Sequence, residues 1–340
     1  MKITFLCPHL RIAGGVRAIL TYADRLVGRG HQVDVIVPER RSGRAFWRPR
    51  DPPWLAWMPE CRARIRLVPE WTPAELPDAD AVVATAWQSA PAVAAAPSSR
   101  GARFYFVQHY ESLYHGEPGL VDATYRLPLR KIVISSWLRD IMRERFASAA
   151  DVLVTPVDGG LFRRVPVTLT GPRPRVLMLH HDYAWKGVAD GLAAAARARE
   201  QGAPLHLVGF GVKAPRVRVP YDEFHANLPQ GDLATLYSGA DIYLCPSWDE
   251  GLGMPSMEAM ACGAALVTYD NGGCRDYATE GVTARVARRR DVDDLAAKLA
   301  SLVLEPVLRA RVAAAGRELV TTVFDWDRAV TRMETILGTG

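Results

Sequence analysis

The 340-residue sequence has no apolar run approaching the roughly 18 residues that would cross a bilayer as a helix. A helical membrane span is therefore not expected. Cysteine is scarce: Cys7, Cys61, Cys245, Cys262 and Cys274 are scattered, odd in number, and form no Cys-x-x-Cys pair. That argues against a disulfide framework and against structural zinc, and it makes a reducing cytoplasm the expected setting. The opening "MKITFLCP" has too few apolar residues for a secretory leader and reads as a first β-strand. Charge is only mildly one-sided. The formal net charge of +5 would suit an anionic partner such as a nucleotide or a phospholipid surface, but liberal use of arginine explains it equally well. There is no zinc finger, no RNA-binding aromatic signature and no basic helix on heptads, so nucleic acid is not an expected partner.

What the chain does have is enough apolar residues, 49%, for two cores rather than one. Strand and helix patterns alternate. "KITFLC" is a strand; "VRAILTYADRLVGRG" carries apolar residues at helical spacing and stops at Gly28 and Gly30; "HQVDVIVP" is the next strand. The order restarts at residue 175, with "RVLMLH", the loop "HDYAWKG", the helix "VADGLAAAARAREQG" and the strand "PLHLVGFG". "ADAVVATAW" and "ADIYLCPSW" echo each other as strands opened by Ala-Asp and closed by Trp. The expectation is an α/β chain of two doubly wound, Rossmann-like domains with parallel sheets, facing across a cleft. We place the domains at 1–160 and 161–322, joined through "VTPVDGGLFRRVPVTLTGPRPR", with residues 323–340 as a helix returning to the first domain.

One stretch, "DEGLGMPSMEAMACG" from Asp249 to Gly263, concentrates the chemistry. Pro255 suits the first turn of a helix, where its missing N–H is no loss. Gly251 and Gly253 just before it let the backbone approach a ligand beside the positive end of the helix dipole, which favours a phosphate. Glu250 sits on the loop and Glu258 one turn into the helix. Ionised carboxylates only accept hydrogen bonds, so hydroxyls of a sugar and a ribose would suit them. Taken alone, two such glutamates are as readily solvated acids at a helix terminus.

The longer stretch "PSWDEGLGMPSMEAMACG" resembles the E-x7-E signature of family 4 retaining glycosyltransferases of the GT-B fold, at Pro246, Ser247, Glu250, Gly251, Gly253, Pro255, Glu258, Ala259, Met260, Ala261 and Gly263. The resemblance implies that Glu250 binds the donor sugar and Glu258 the ribose hydroxyls of a nucleotide-diphosphate sugar, with Gly251, Leu252, Gly253 and Met254 forming the donor loop between them. "HDYAWKG" resembles the family's diphosphate-binding segment, which makes Lys186 the conventional lysine; His181 stands where the family usually has arginine. Gly14 and Gly15 fall where the family closes over the donor, and His109, after the strand in "YFVQHYESLY", where it often contacts the donor sugar. "NGGCRDY" resembles the Gly-Gly turn that follows, with Asp276 in place of the usual glutamate.

The expected catalytic residues are thus Lys186, Glu250 and His109, with no cofactor and no metal. "DAD" at Asp78–Asp80 mimics a metal-binding D-x-D, but its place before "AVVATAW" makes it a strand lead-in. The expected reaction is metal-independent transfer of a sugar, with retention, to a hydroxyl of a glycan, a glycolipid or a small natural product. The rivals are a sugar-nucleotide 2-epimerase, a dinucleotide oxidoreductase, for which "GFGVKA" lacks a third glycine, and a non-catalytic sugar-nucleotide-binding protein. Finally, "ERRSGRAFWRPRDPPWLAWMPECRARIRL" from Glu39 to Leu67 mixes arginine and tryptophan with helix breakers. It is either a solvated loop or a peripheral contact with an anionic membrane.

Overall fold

The computed structural model describes residues 1–39, 57–168, 171–172, 174–215 and 219–339. It divides into two compact units, Met1–Thr155 with Asp327–Gly340, and Pro156–Trp326. The break falls inside the expected linker, with Val154 and Thr155 in the first unit and Pro156 already in the second.

In the first unit, β1 (Lys2–Leu6), α1 (Gly14–Gly28), β2 (Gln32–Pro38) and β3 (Arg64–Val68) are followed by β4 (Ala81–Ala84), α2 (Ala90–Ala94) and β5 (Ala102–Val107). Then come α3 (Pro118–Tyr125), β6 (Arg130–Val133), α4 (Ser136–Phe146) and β7 (Ala150–Val152). The seven strands described are all parallel, in the order β3-β2-β1-β4-β5-β6-β7. The central strand β4 is buried along its whole length, as a parallel strand covered on both faces must be, which is why it reads as an unbroken apolar run. Helix α1 turns Val16, Ile19, Leu20, Ala23 and Leu26 inward, the spacing seen in the sequence.

The second unit repeats the plan with β8 (Arg175–Leu179), α5 (Val188–Glu200), β9 (His206–Gly211), β10 (Glu223–Ala226), α6 (Gln230–Ser238) and β11 (Ile242–Cys245). It continues through α7 (Met254–Ala261), β12 (Ala265–Tyr269), β13 (Ala284–Ala287), α8 (Val292–Leu304) and α9 (Pro306–Thr322). Its described sheet is also parallel, ordered β10-β9-β8-β11-β12-β13. Val176, Met178, Leu244, Val267, Leu295 and Leu299 meet in one core between this sheet and its helices. The last helix, α10 (Trp326–Gly338), belongs almost wholly to the first unit. Arg29 donates to Thr331 and Glu334 at 2.7 Å, and Arg332 pairs with Asp151 at 2.9 Å.

In each sheet the winding reverses once, between β1 and β4 and between β8 and β11. Loops leave the two neighbouring strands in opposite directions there, and a crevice opens at their carboxyl ends. Of the arginine- and tryptophan-rich segment, residues 40–56 lie outside the described residues. Trp57 donates its indole N–H to the Leu10 carbonyl at 2.9 Å.

Candidate functional site

The second unit's reversal point gathers two loops, His180–Gly187 after β8 and Pro246–Gly253 after β11. They are tied backbone to backbone: the Trp248 amide donates to the Trp185 carbonyl at 2.8 Å. This brings residues 64 positions apart into contact. Lys186 Nζ donates to Glu250 Oε1 at 2.7 Å. Both side chains are largely buried. Burial by itself would lower the Lys186 pKa, but the charge and hydrogen bond of Glu250 outweigh it and hold the ammonium above its ordinary range. Lys186 is therefore a permanent cation here.

Glu250 is fixed at its backbone as well. Its amide donates to the Asn271 carbonyl at 3.0 Å, and its carbonyl accepts from the Gly273 amide at 3.2 Å. A Cβ at Gly273 would stand 2.7 Å from both the Glu250 carbonyl oxygen and the Leu252 Cα, so only glycine lets this turn close over the loop. Asn271, fully buried, holds the turn by accepting from the Cys274 amide at 3.0 Å and donating to Thr268 at 3.2 Å.

Helix α7 starts at this point. Gly253 precedes it with φ of 90°, a left-handed conformation that suits glycine, and Pro255 lies in its first turn. Glu258, only 7% exposed, accepts from the Tyr237 hydroxyl at 3.1 Å. Burial, and then the Glu258 charge, push the Tyr237 phenol far above its ordinary pKa, so it stays a donor. The result is a helix N-terminus flanked by one cation and two carboxylates, each carboxylate oriented by a donor from another element. Such an arrangement can hold a diphosphate and accept from hydroxyls.

Residues 164–319 match the family described as glycosyl transferases group 1. That match falls inside the second unit. The chain is 33% identical to glycogen synthase of Mycobacterium tuberculosis over 172 residues, which is 48% of this chain and 41% of that protein. It is 31% identical over 273 residues to the O-antigen biosynthesis protein RfbC of Myxococcus xanthus, covering 78% of this chain and 21% of that one. The chain thus spans less than half the length of these curated relatives. HepE of Anabaena, solved with UDP and glucose, superposes with a TM-score of 0.74 at 16% identity over 100% of both chains. With both units Rossmann-like, the chain has the GT-B fold.

Within the second unit the structure brings together Lys186, Glu250, Gly251, Leu252, Gly253, Met254 and Glu258. Gly251 to Gly253 are buried; Met254 is half-buried. His181 lies on the same loop as Lys186. Burial, and then the Lys186 charge, lower its pKa, so it is neutral at pH 7. Its Nδ1 accepts from the Tyr183 amide at 3.1 Å, which leaves Nε2 to carry the proton. Asp276 is half-buried in the turn after Gly272.

Gly14, Gly15 and His109 belong to the first unit. Gly14 and Gly15 open α1, and a Cβ at Gly15 would come within 3.2 Å of the Gln108 side chain, so the first unit places Gly15 beside the residue that precedes His109. Asp78 pairs with Arg100 and Asp80 accepts from the Lys2 amide at 2.7 Å, a lead-in to β4. Among the described residues, no group of three or more His, Cys, Asp or Glu is arranged to hold a metal ion, and no helix is long and apolar enough to cross a membrane.

Several participants are absent from the sequence reading. Tyr237 and Arg289, which grips Asp249 at 2.6 Å beside Glu250, come from segments with no local signature, and Asn271 opens the Gly-Gly turn without being singled out. Asp190, which accepts from the Trp248 indole at 2.9 Å and the Tyr269 hydroxyl at 3.3 Å, reads locally as an ordinary first-turn helix acid.

Proposed function

We propose that the chain is a retaining glycosyltransferase that moves a sugar from a nucleotide-diphosphate sugar to a hydroxyl of a glycan or glycolipid, without a bound metal ion. The observation that carries this reading is the Lys186–Glu250 ion pair set against the N-terminus of α7, with Glu258 one turn further on. Lys186 and the first amides of α7 take up the charge that develops on the leaving diphosphate, the task a divalent cation would otherwise perform. Glu250 accepts from donor-sugar hydroxyls and Glu258 from the ribose.

In the reaction the bond from the anomeric carbon to the β-phosphate oxygen breaks, and the bond from that carbon to the acceptor oxygen forms on the same face. The acceptor's proton passes to the departing phosphate oxygen. Glu250 is a formal nucleophile for a two-step route, but its Oε1 is already committed to Lys186, which lowers its reach for carbon. The nucleotide-sugar part of the reading is supported by HepE, solved with UDP and glucose. The acceptor class is supported by the relatives, one a glycogen synthase and one an O-antigen biosynthesis protein.

The test is a panel of nucleotide-diphosphate sugars with and without glycan and glycolipid acceptors, in EDTA. The expected result is acceptor-dependent release of nucleoside diphosphate and a product whose anomeric configuration, read by NMR, matches the donor. Failure of every nucleoside diphosphate and sugar nucleotide to shift the melting temperature would overturn the reading.

A further inference from the structure

The first unit contains a partly buried carboxylate that the reaction above does not use. Glu111 follows β5 by four residues and lies two after His109. Its Oε2 accepts from the Trp87 backbone amide at 3.0 Å and from the Tyr105 hydroxyl at 3.1 Å. Those donors come from the loop after β4 and from β5. Its own amide donates to the Tyr125 hydroxyl at 2.9 Å, and that hydroxyl donates in turn to the His109 carbonyl at 3.4 Å. Glu111's carbonyl accepts from the Tyr114 and His115 amides at 3.1 and 2.7 Å. Asp122 of α3 accepts from Tyr110 and Ser112 on either side. Loop 109–115 is thus pinned at one residue to β5, to the β4 loop and to α3.

We propose that Glu111 is the positioning residue of the His109 loop, and that its protonation sets how tightly the loop is held. The proposal rests on the reading above only in taking this loop to serve the reaction. The physical basis is a carboxyl group kept mostly from water with neutral donors, no cation among its hydrogen-bond partners in the described residues, and phenols around it. Burial pushes its pKa from 4.5 to about 7, against the opposing hydrogen bonds of Trp87 and Tyr105. The titratable groups near it are Tyr105 from β5, Tyr125 and Asp122 from α3, and Tyr110, His109 and His115 of the loop itself.

The sign follows from linkage. In the held loop Glu111 binds its proton more tightly than it does when the loop opens to water. Protonation therefore favours the held form, and rising pH favours opening. With 4.5 for the open state and about 7 for the held one, the opening equilibrium should rise about tenfold from pH 6 to pH 8.

The experiment is hydrogen exchange of the full chain, read on the peptide containing Glu111 to His115 and corrected for intrinsic rate. The expected result is about tenfold weaker protection at pH 8 than at pH 6 in the wild type. Glu111→Gln, a neutral isostere that keeps both accepted bonds, should be held at both pH values and should also flatten the alkaline limb of kcat. Glu111→Ala should be loose at both. Tyr105→Phe, which removes one donor and leaves the carboxylate, should be looser than wild type at both. If Glu111→Gln loses protection with pH in parallel with the wild type, the histidines are responsible and the proposal is wrong. Wild-type protection in Glu111→Ala would overturn it equally. Exchange is read without substrate, so it stands apart from failure of the proposed reaction.

Discussion

A Cβ at Gly187 would lie 1.9 Å from the carbonyl oxygen of Pro246. Gly187 opens α5 with φ of 65°, directly after Lys186, and Pro246 directly follows β11. The two loops of the second unit touch here through backbone atoms, and that contact sets the reach of Lys186 to Glu250.

Gly187→Ala should therefore be severe. The left-handed conformation alone costs an alanine about 1–3 kcal/mol, and the collision with Pro246 adds to it. We expect a lower melting temperature together with loss of nucleoside diphosphate binding. A variant that melts and binds like wild type would show that the two loops can separate without consequence.

Lys186→Ala leaves a buried carboxylate without its cation, which typically destabilises by about 3–5 kcal/mol. Glu250→Ala leaves the converse. The double variant removes both charges and should be more stable than the sum of the single effects, while remaining inactive. Urea unfolding of the four proteins reads the first quantity and turnover the second. Strict additivity in the unfolding energies would mean that the pair is not coupled.

Tyr237→Phe removes one hydroxyl and leaves Glu258 a donor short. The expected loss is about 1–3 kcal/mol of stability. KM for the nucleotide sugar should rise more than kcat falls, because a misplaced Glu258 weakens ground-state binding. Steady-state kinetics with the preferred donor checks the split, and an unchanged KM would detach Tyr237 from the site.

Acid should weaken the second unit through Glu223. Burial raises its pKa, but hydrogen bonds from Arg175, His206 and His225 prevail and bring it to about 2. A carboxylate depressed in the folded state stabilises above its unfolded pKa, and that contribution is lost as pH falls from about 4.5 towards 2. Glu223 is partly exposed, so water tempers the effect. Urea midpoints between pH 5 and pH 2.5 should fall less steeply for Glu223→Gln than for wild type; equal slopes would place the acid sensitivity elsewhere.

Much of this architecture was legible in the sequence because it depends on local pattern. The spacing of Val16, Ile19, Leu20 and Ala23 marks α1, the run Ala81–Ala84 marks a doubly covered strand, and Gly253-x-Pro255 marks the start of α7. Two of the groups that hold the two glutamates, the Tyr237 hydroxyl that donates to Glu258 and the Asn271 carbonyl that accepts from the Glu250 amide, were not legible. Tyr237 lies 21 positions before Glu258, on a different helix, and Asn271 reaches Glu250 only because β12 lies beside β11. The sequence reading assigned both glutamates to hydroxyls of a ligand and gave no sign of their partners within the protein, the Tyr237 hydroxyl for Glu258 and Lys186 for Glu250. Glu111 shows the same limit, since nothing about Tyr-Glu-Ser indicates that the glutamate will be enclosed by phenols.

The second unit is one uninterrupted stretch, whereas the first is assembled from Met1–Thr155 and the final helix. On the ribosome the order of completion is therefore reversed. The second unit has all its residues once Trp326 has emerged, while the first still lacks the helix that Arg29 and His31 bind through Glu334. A chain stopped near residue 325 would hold a nearly whole second unit and an unfinished first one, with Arg29, His31 and Asp151 bare where α10 should dock.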